Sequence, residues 1–309
     1  MDRELDSQMR TSTATAGGTV AAVGAILLWC FSGVCYAAGS RAIGAMPYLS
    51  LTSAAGVITI CILRLLRGDS LVGLVRVPRP VVVAGFFGVT VYSIMLVEAL
   101  SRAAPADLGH VMLLNYLWPI WILLLSLVML DTDARPAMAI LGALVGLAGL
   151  VVARGMGGFA HRPASWLPHG LALAGGFLWA LYSVLLRRWR IPAERGGSTF
   201  HFVVCAVLAG VIAAMQGQWK SLASMDARAA MWVVFGGIGP VGLGYYWWEI
   251  GIKRGSVRLI ALLAYFIPIG SAVLIGLFFR EAMSLWLLAG AAMIATGAWI
   301  GSRGERPRK

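Results

Sequence analysis

The feature that most constrains this chain is a succession of ten long apolar runs. They fall at about 19–39, 47–63, 80–100, 108–130, 136–153, 167–186, 199–216, 230–252, 257–279 and 283–301. Each is roughly 17–25 residues long, the length a helix needs to cross a hydrocarbon core of ~30 Å. Strands of a membrane barrel would alternate apolar and polar at every second residue, and these runs do not. Inside lipid their backbone polar groups have to be closed within helices. Composition agrees, since 60% of the 309 residues are apolar and 12% charged, against about half and a quarter in soluble domains. The connections average roughly ten residues, too short for a soluble domain. The reading is an all-α membrane protein of ten transmembrane helices, with the lipid bilayer as its surroundings.

The net charge of +12 does not mark a nucleic-acid binder, because Lys and Arg punctuate the apolar runs instead of gathering on one face. They do orient the chain. With the N-terminus inside, the cytoplasmic segments hold 18 of the 25 basic residues and the outer segments 7, which places both termini in the cytoplasm. Cys30, Cys35, Cys61 and Cys205 all lie within apolar runs and read as small buried residues. The acidic start, MDRELDSQMR, reads as a short tail and not as a signal peptide.

The chain matches itself at an offset near 150. Leu28-Trp29-Cys30 in the first run answers to Leu178-Trp179-Ala180 in the sixth. Glu98 answers to Glu249, each just ahead of a short basic linker, and Trp118-Pro119-Ile120 to Ile267-Pro268-Ile269. Gly142/Gly149 in the fifth run answer to Gly290/Gly297 in the tenth. Five spans is an odd number, so a second set of five enters the membrane from the opposite side. The expected organisation is two inverted five-helix repeats, 1–155 and 156–309, N-in and C-in. Secondary transporters recur in this form, with the substrate site between the halves near the midplane.

Ten spans, the five-plus-five repeat, the paired Trp and the paired Pro resemble the drug/metabolite transporter superfamily of the EamA-like type, over essentially the whole chain. Asn115-Tyr116-Leu117-Trp118-Pro119, with Trp179-Ala180-Leu181-Tyr182 and Gly242-Leu243-Gly244-Tyr245, looks more specifically like its bacterial exporters of aromatic amino acids. That resemblance implies a multi-pass protein of the bacterial inner membrane exporting Phe, Tyr and Trp, and related amphipathic or flat cationic compounds. A broad-specificity drug or metabolite exporter is the alternative.

The residues that break the apolar pattern are the candidate site. A deep Tyr or Trp facing lipid would strand its O–H or N–H, whereas a wet cavity lined by such rings suits an aromatic or cationic solute. Trp29, Tyr92, Tyr116, Trp118, Trp179, Tyr182, Tyr245, Trp248 and Tyr265 are the aromatic candidates, with packing between helices as their other reading. Asn115 either contacts a substrate carboxylate or amino group, or bonds a neighbouring helix. Pro119, Pro268 and Pro240 interrupt their helices and are candidate hinges or fixed kinks. Glu98 and Glu249 are candidates for proton coupling, or else simple ion pairs with the basic linkers. Trp166, Trp219 and Trp286 read as interfacial. Asp107 and His110 sit three apart but have no further ligands near them, so no metal is expected. The glycines of the fifth and tenth runs read as close-packing positions within the bundle. No phosphate-binding loop, nucleophile elbow or His-Glu-x-x-His motif occurs. The expectation is therefore a transporter and not an enzyme, with a small-molecule substrate, no cofactor and no ATPase subunit.

Overall fold

Apolar stretches this long satisfy their backbone internally by coiling, and in the computed structural model every regular element among the described residues is a helix. Those residues are 2–130, 136–158, 163–191, 197–254, 263–280 and 284–303. In chain order the principal helices are α1 (Asp2–Cys30), α2 (Ser32–Ile43), α3 (Ala45–Leu66), α4 (Arg79–Arg102), α5 (Leu108–Asn115), α6 (Trp118–Met129) and α7 (Pro136–Gly158). After them come α8 (Leu167–Arg188), α9 (Ser198–Met215), α10 (Ala227–Gly251), α11 (Ile267–Phe279) and α12 (Leu285–Ser302).

By length and apolarity six of these units span a membrane, or seven if the bent pair α1–α2 is counted as one. The six are α3, α4, the run from Pro105 through α5 and α6 to Met129, α8, α9 and α10. The cores of α7, α11 and α12 are shorter apolar helices. Residues 257–262 of the ninth apolar run lie outside the described residues. The surface is inverted relative to a soluble protein. Val128, Met215 and Leu285 are more than 80% exposed, while Ser53, Thr90, Asn115, His201 and Ser271 are buried.

The breaks in the helices are instructive. Spans four and nine were expected to break at Pro119 and Pro268. Instead the chain turns just before each proline, at 116–117 and at 265–266, and each proline occupies the second position of the helix that follows. The reason is that a first-turn residue has no intrahelical acceptor for its N–H, so proline starts a helix at no cost in hydrogen bonds. Pro240 does not end its helix either. It lies inside a π-helical segment, Gly237–Leu243, which widens the ladder around the missing donor. A second π-helical segment, Phe86–Val91 in α4, starts 151 residues earlier and contains no proline. A 40° bend at Phe31 separates α1 from α2, and it too has no proline to announce it.

Close packing is concentrated where glycine permits it. Helices α7 and α12 run backbone against backbone. A Cβ at Gly142 would strike the Gly297 carbonyl, and one at Gly297 would strike the Gly142 carbonyl, with Gly149 and Gly290 opposed in the same way. These are the glycines that the repeat pattern singles out, and they pack within the bundle.

Candidate functional site

Three interruptions (the α1–α2 bend, the α5–α6 turn and the π segment of α10) surround a cavity of about 300 Å³, at the small end of pockets that hold small molecules, roughly 300–1,000 Å³. The first half of the chain lines it with Trp29, Ser32, Tyr36, Tyr92, Ser93, Leu96, Met112, Asn115, Tyr116, Trp118 and Ile122. The second half contributes Trp179, Ser183, Pro240, Val241, Tyr245, Trp248, Ala264 and Ile267. None of these side chains carries a formal charge at neutral pH.

Two aromatic groups form its walls. Trp29 packs on Tyr245 with ring centroids 5.3 Å apart and on Trp248 at 4.9 Å. Tyr92 and Trp179 form the second group, 5.7 Å apart. The Trp29 indole N–H donates to the Pro240 carbonyl at 3.0 Å. This contact across 211 residues fixes α1 to the π segment. Ser32 donates to the Trp29 carbonyl at 2.6 Å, and Ser183 donates to the Trp179 carbonyl at 2.8 Å. The two Trp–Ser units stand near the 150-residue offset, the serine three residues after its Trp in the first and four in the second.

Asn115 is the last residue of α5 and is 2% exposed. Its Nδ2 donates to the Ala172 carbonyl of α8 at 3.4 Å, and the Tyr92 hydroxyl donates to its Oδ1 at 3.5 Å. Gly176, one turn beyond Ala172, admits the Asn115 main-chain carbonyl against α8 (an alanine Cβ there would lie 2.6 Å from it). The hydroxyl of Tyr116 and Oγ of Ser271 are buried without a hydrogen-bond partner. They lie beside one another near Ser32, where the α1–α2 bend, the α5–α6 turn and α11 converge.

Of the ten substrate-binding candidates, eight line this cavity: Trp29, Tyr92, Asn115, Tyr116, Trp118, Trp179, Tyr245 and Trp248. Tyr182 does not. It lies one helical turn behind Trp179, its Cβ region filling the space left by Gly88, in a separate apolar cluster with Val81, Val89 and Phe202. Tyr265 occupies the turn before α11 and is absent from the lining, although its neighbours Ala264 and Ile267 contribute. Pro240 lines the cavity, whereas Pro268 is buried in the first turn of α11. Tyr36, Ser32, Ser93 and Ser183 were not singled out in the sequence. Ser32 and Ser183 had a signal, since each stands a few residues after a repeat-related Trp.

The glutamates lie away from the cavity lining. Glu98 pairs with Arg102 one turn along α4. Glu249 reaches across to Arg64 of α3, with Nη2 to Oε1 at 3.0 Å, a long-range partner that the adjacent Lys253 and Arg254 had masked in the sequence. Arg67 lies over the Tyr246 ring beside this pair, 5.3 Å from its centroid. His110 places Nε2 3.2 Å from the Ala153 carbonyl.

An apolar helical bundle whose interrupted helices meet around an uncharged aromatic cavity has the architecture of a secondary carrier. The family follows from kinship. The profile of the EamA-like transporter family matches residues 166–303. Aromatic amino acid exporter YddG of Ancylobacter novellus is 36% identical over 308 residues, covering 94% of this chain and 98% of its own. The proteins of the same name from Salmonella typhimurium and Escherichia coli are 26% and 24% identical, each over 74% of this chain and 80% of its own. A solved crystal structure at 32% identity superposes with a TM-score of 0.68 over 93% of this chain and 97% of its own. The chain belongs to the EamA-like transporter family.

Proposed function

We propose that the protein exports aromatic amino acids across the bacterial inner membrane by alternating access, binding one zwitterion at a time in the cavity between its halves. The observation that carries this reading is the cavity itself. Its two aromatic walls, Trp29/Tyr245/Trp248 and Tyr92/Trp179, offer faces to a third ring, and among the described residues its lining is uncharged, as suits a solute with no net charge. Kinship with relatives named for aromatic amino acid export supports the same substrate.

Ten spans arranged as inverted repeats, 1–155 and 156–309, are the framework of this reading. The six long spans, the bent α1–α2 pair and the three shorter apolar helices correspond to the ten apolar runs. The π segments of α4 and α10, the turns at 116–117 and 265–266, and the two Trp–Ser units all recur at offsets near 150, which supports the repeat. The α5–α6 and α11 turns act as hinges in this scheme, with Pro119 and Pro268 defining where the following helix begins. Glu98 and Glu249 serve as ion-pair partners and carry no coupling proton, since each is matched to an arginine away from the cavity.

The test is flux of Phe, Tyr and Trp into and out of proteoliposomes, at zero and at one unit of pH gradient. Export of aromatic amino acids requires that all three exchange and compete. If none moves while unrelated amphipathic drugs do, the protein is a broad exporter instead. A flux that follows the pH gradient and loses that response in Glu98→Gln or Glu249→Gln overturns the ion-pair reading of the glutamates.

A further inference from the structure

Asn115 admits two opposite roles toward a ligand, because an amide both donates and accepts. Its surroundings in the fold decide between them. Ala172 offers a main-chain carbonyl, which can only accept, so the side facing α8 has to be the NH2 group. The reversed amide would set two oxygens against each other and leave a buried pair of acceptors in repulsion. Oδ1 therefore faces the opposite way, toward Tyr92 and the cavity that both residues line. The Tyr92 hydroxyl takes one lone pair of Oδ1 and the second remains for a ligand.

The rest of the neighbourhood has the same sign. Asn115 ends α5, so the partial negative charge of that helix terminus falls here. Aromatic faces of Tyr92 and Trp179 stand alongside and attract cations. Among the described residues no basic side chain lines the cavity to repel one. Across the same turn α6 begins at Trp118, which lines the cavity and belongs to the positive terminus of its helix. The break thus offers a negative helix end followed at once by a positive one, the charge order of an amino-acid zwitterion.

We infer that Asn115 Oδ1, steadied by Tyr92 and backed by the α5 terminus, is the ammonium subsite, and that the protein also binds aromatic amines that lack a carboxylate. This deepens the proposed function, because it names the substrate group that the cavity selects. The ammonium makes a charge-assisted hydrogen bond to a buried acceptor, whereas the carboxylate meets only a helix end. Removing the ammonium from a ligand therefore costs more than removing the carboxylate.

The experiment is competition against radiolabelled L-phenylalanine and, separately, radiolabelled phenethylamine, in proteoliposomes of the wild-type protein. Phenethylamine keeps the ammonium alone, and 3-phenylpropionate keeps the carboxylate alone. Phenethylamine should bind within about tenfold of phenylalanine and 3-phenylpropionate about ten- to hundredfold more weakly than phenethylamine, the span of one charged hydrogen bond. The Asn115→Leu protein should lose phenylalanine and phenethylamine together while 3-phenylpropionate is unchanged. Tyr92→Phe, a milder change, should weaken the same two ligands in the same order. A wild-type protein that prefers 3-phenylpropionate to phenethylamine overturns the ammonium subsite, as does an Asn115→Leu protein that weakens all three alike. Binding of phenethylamine without binding of phenylalanine would retain the subsite and refute export of aromatic amino acids. Failure of all three ligands to bind would refute both.

Discussion

Gly176 is the position where packing and the candidate site are most tightly joined. Replacing it with alanine puts a methyl group 2.6 Å from the Asn115 carbonyl oxygen, where ordinary contact begins near 3.4 Å. Helix α8 and the α5 terminus must then separate by about 0.8 Å, since the opposing atom is main chain and has no rotamer to adopt. The hydrogen bond that ties the Asn115 amide to α8 is already long, at 3.4 Å, and a shift of that size breaks it, leaving only the Tyr92 hydroxyl to orient the amide. Overpacking of this kind costs about 1–3 kcal/mol, and a lost buried hydrogen bond adds about 1 kcal/mol. The expected destabilisation is roughly 2–4 kcal/mol, a fall in melting temperature of about 5–10 °C by the scaling for large domains. Phenylalanine affinity should fall about tenfold as the amide loses its orientation. Thermal unfolding in detergent, followed by tryptophan fluorescence, measures the first effect, and tracer binding the second. Gly170→Ala on the same helix is the control, because nothing lies within 4 Å of that position. It should be neutral or stabilise by up to about 1 kcal/mol. A Gly176→Ala protein that melts with the wild type and binds phenylalanine equally well refutes the reasoning.

Other consequences can be checked in the same way. Gly297→Ala would drive a methyl into the Gly142 carbonyl and within 2.7 Å of the Gly146 nitrogen, so α7 and α12 should part and the protein lose about 2–3 kcal/mol; an unchanged melting temperature would disprove their backbone contact. The Arg64–Glu249 pair is partly buried, and a double-mutant cycle on Arg64→Gln and Glu249→Gln should give a coupling of about 1 kcal/mol. Strict additivity would show the pair to be unimportant for stability. Tyr116→Phe removes a buried hydroxyl whose neighbours are the Ser271 and Ser32 hydroxyls and should change stability by no more than about 1 kcal/mol, read again as a melting shift, with a larger loss counting against the geometry.

The apolar runs by themselves determined that the chain is helical and membrane-embedded, because their length matches the bilayer and lipid leaves the backbone no other partner. The sequence also showed which positions recur at an offset near 150, and therefore which tryptophans and glycines to examine. All ten site candidates were conspicuous as polar or aromatic groups in apolar runs, and eight of them line the cavity. Tertiary structure decided what no local pattern encodes. Tyr182 faces Gly88 and Phe202 and not the cavity that Trp179 and Ser183 line, since successive residues on a helix point about 100° apart. The bend at Phe31 and the π segment at Phe86–Val91 arise without proline; the bend adjoins Ser32-Gly33, where the serine hydroxyl bonds back to the Trp29 carbonyl. Glu249 has a partner 185 residues away, Arg64 of α3, that no local pattern announces. The sense of Asn115 was set by a single main-chain carbonyl on α8, because an amide is two-faced until a neighbour of fixed polarity orients it.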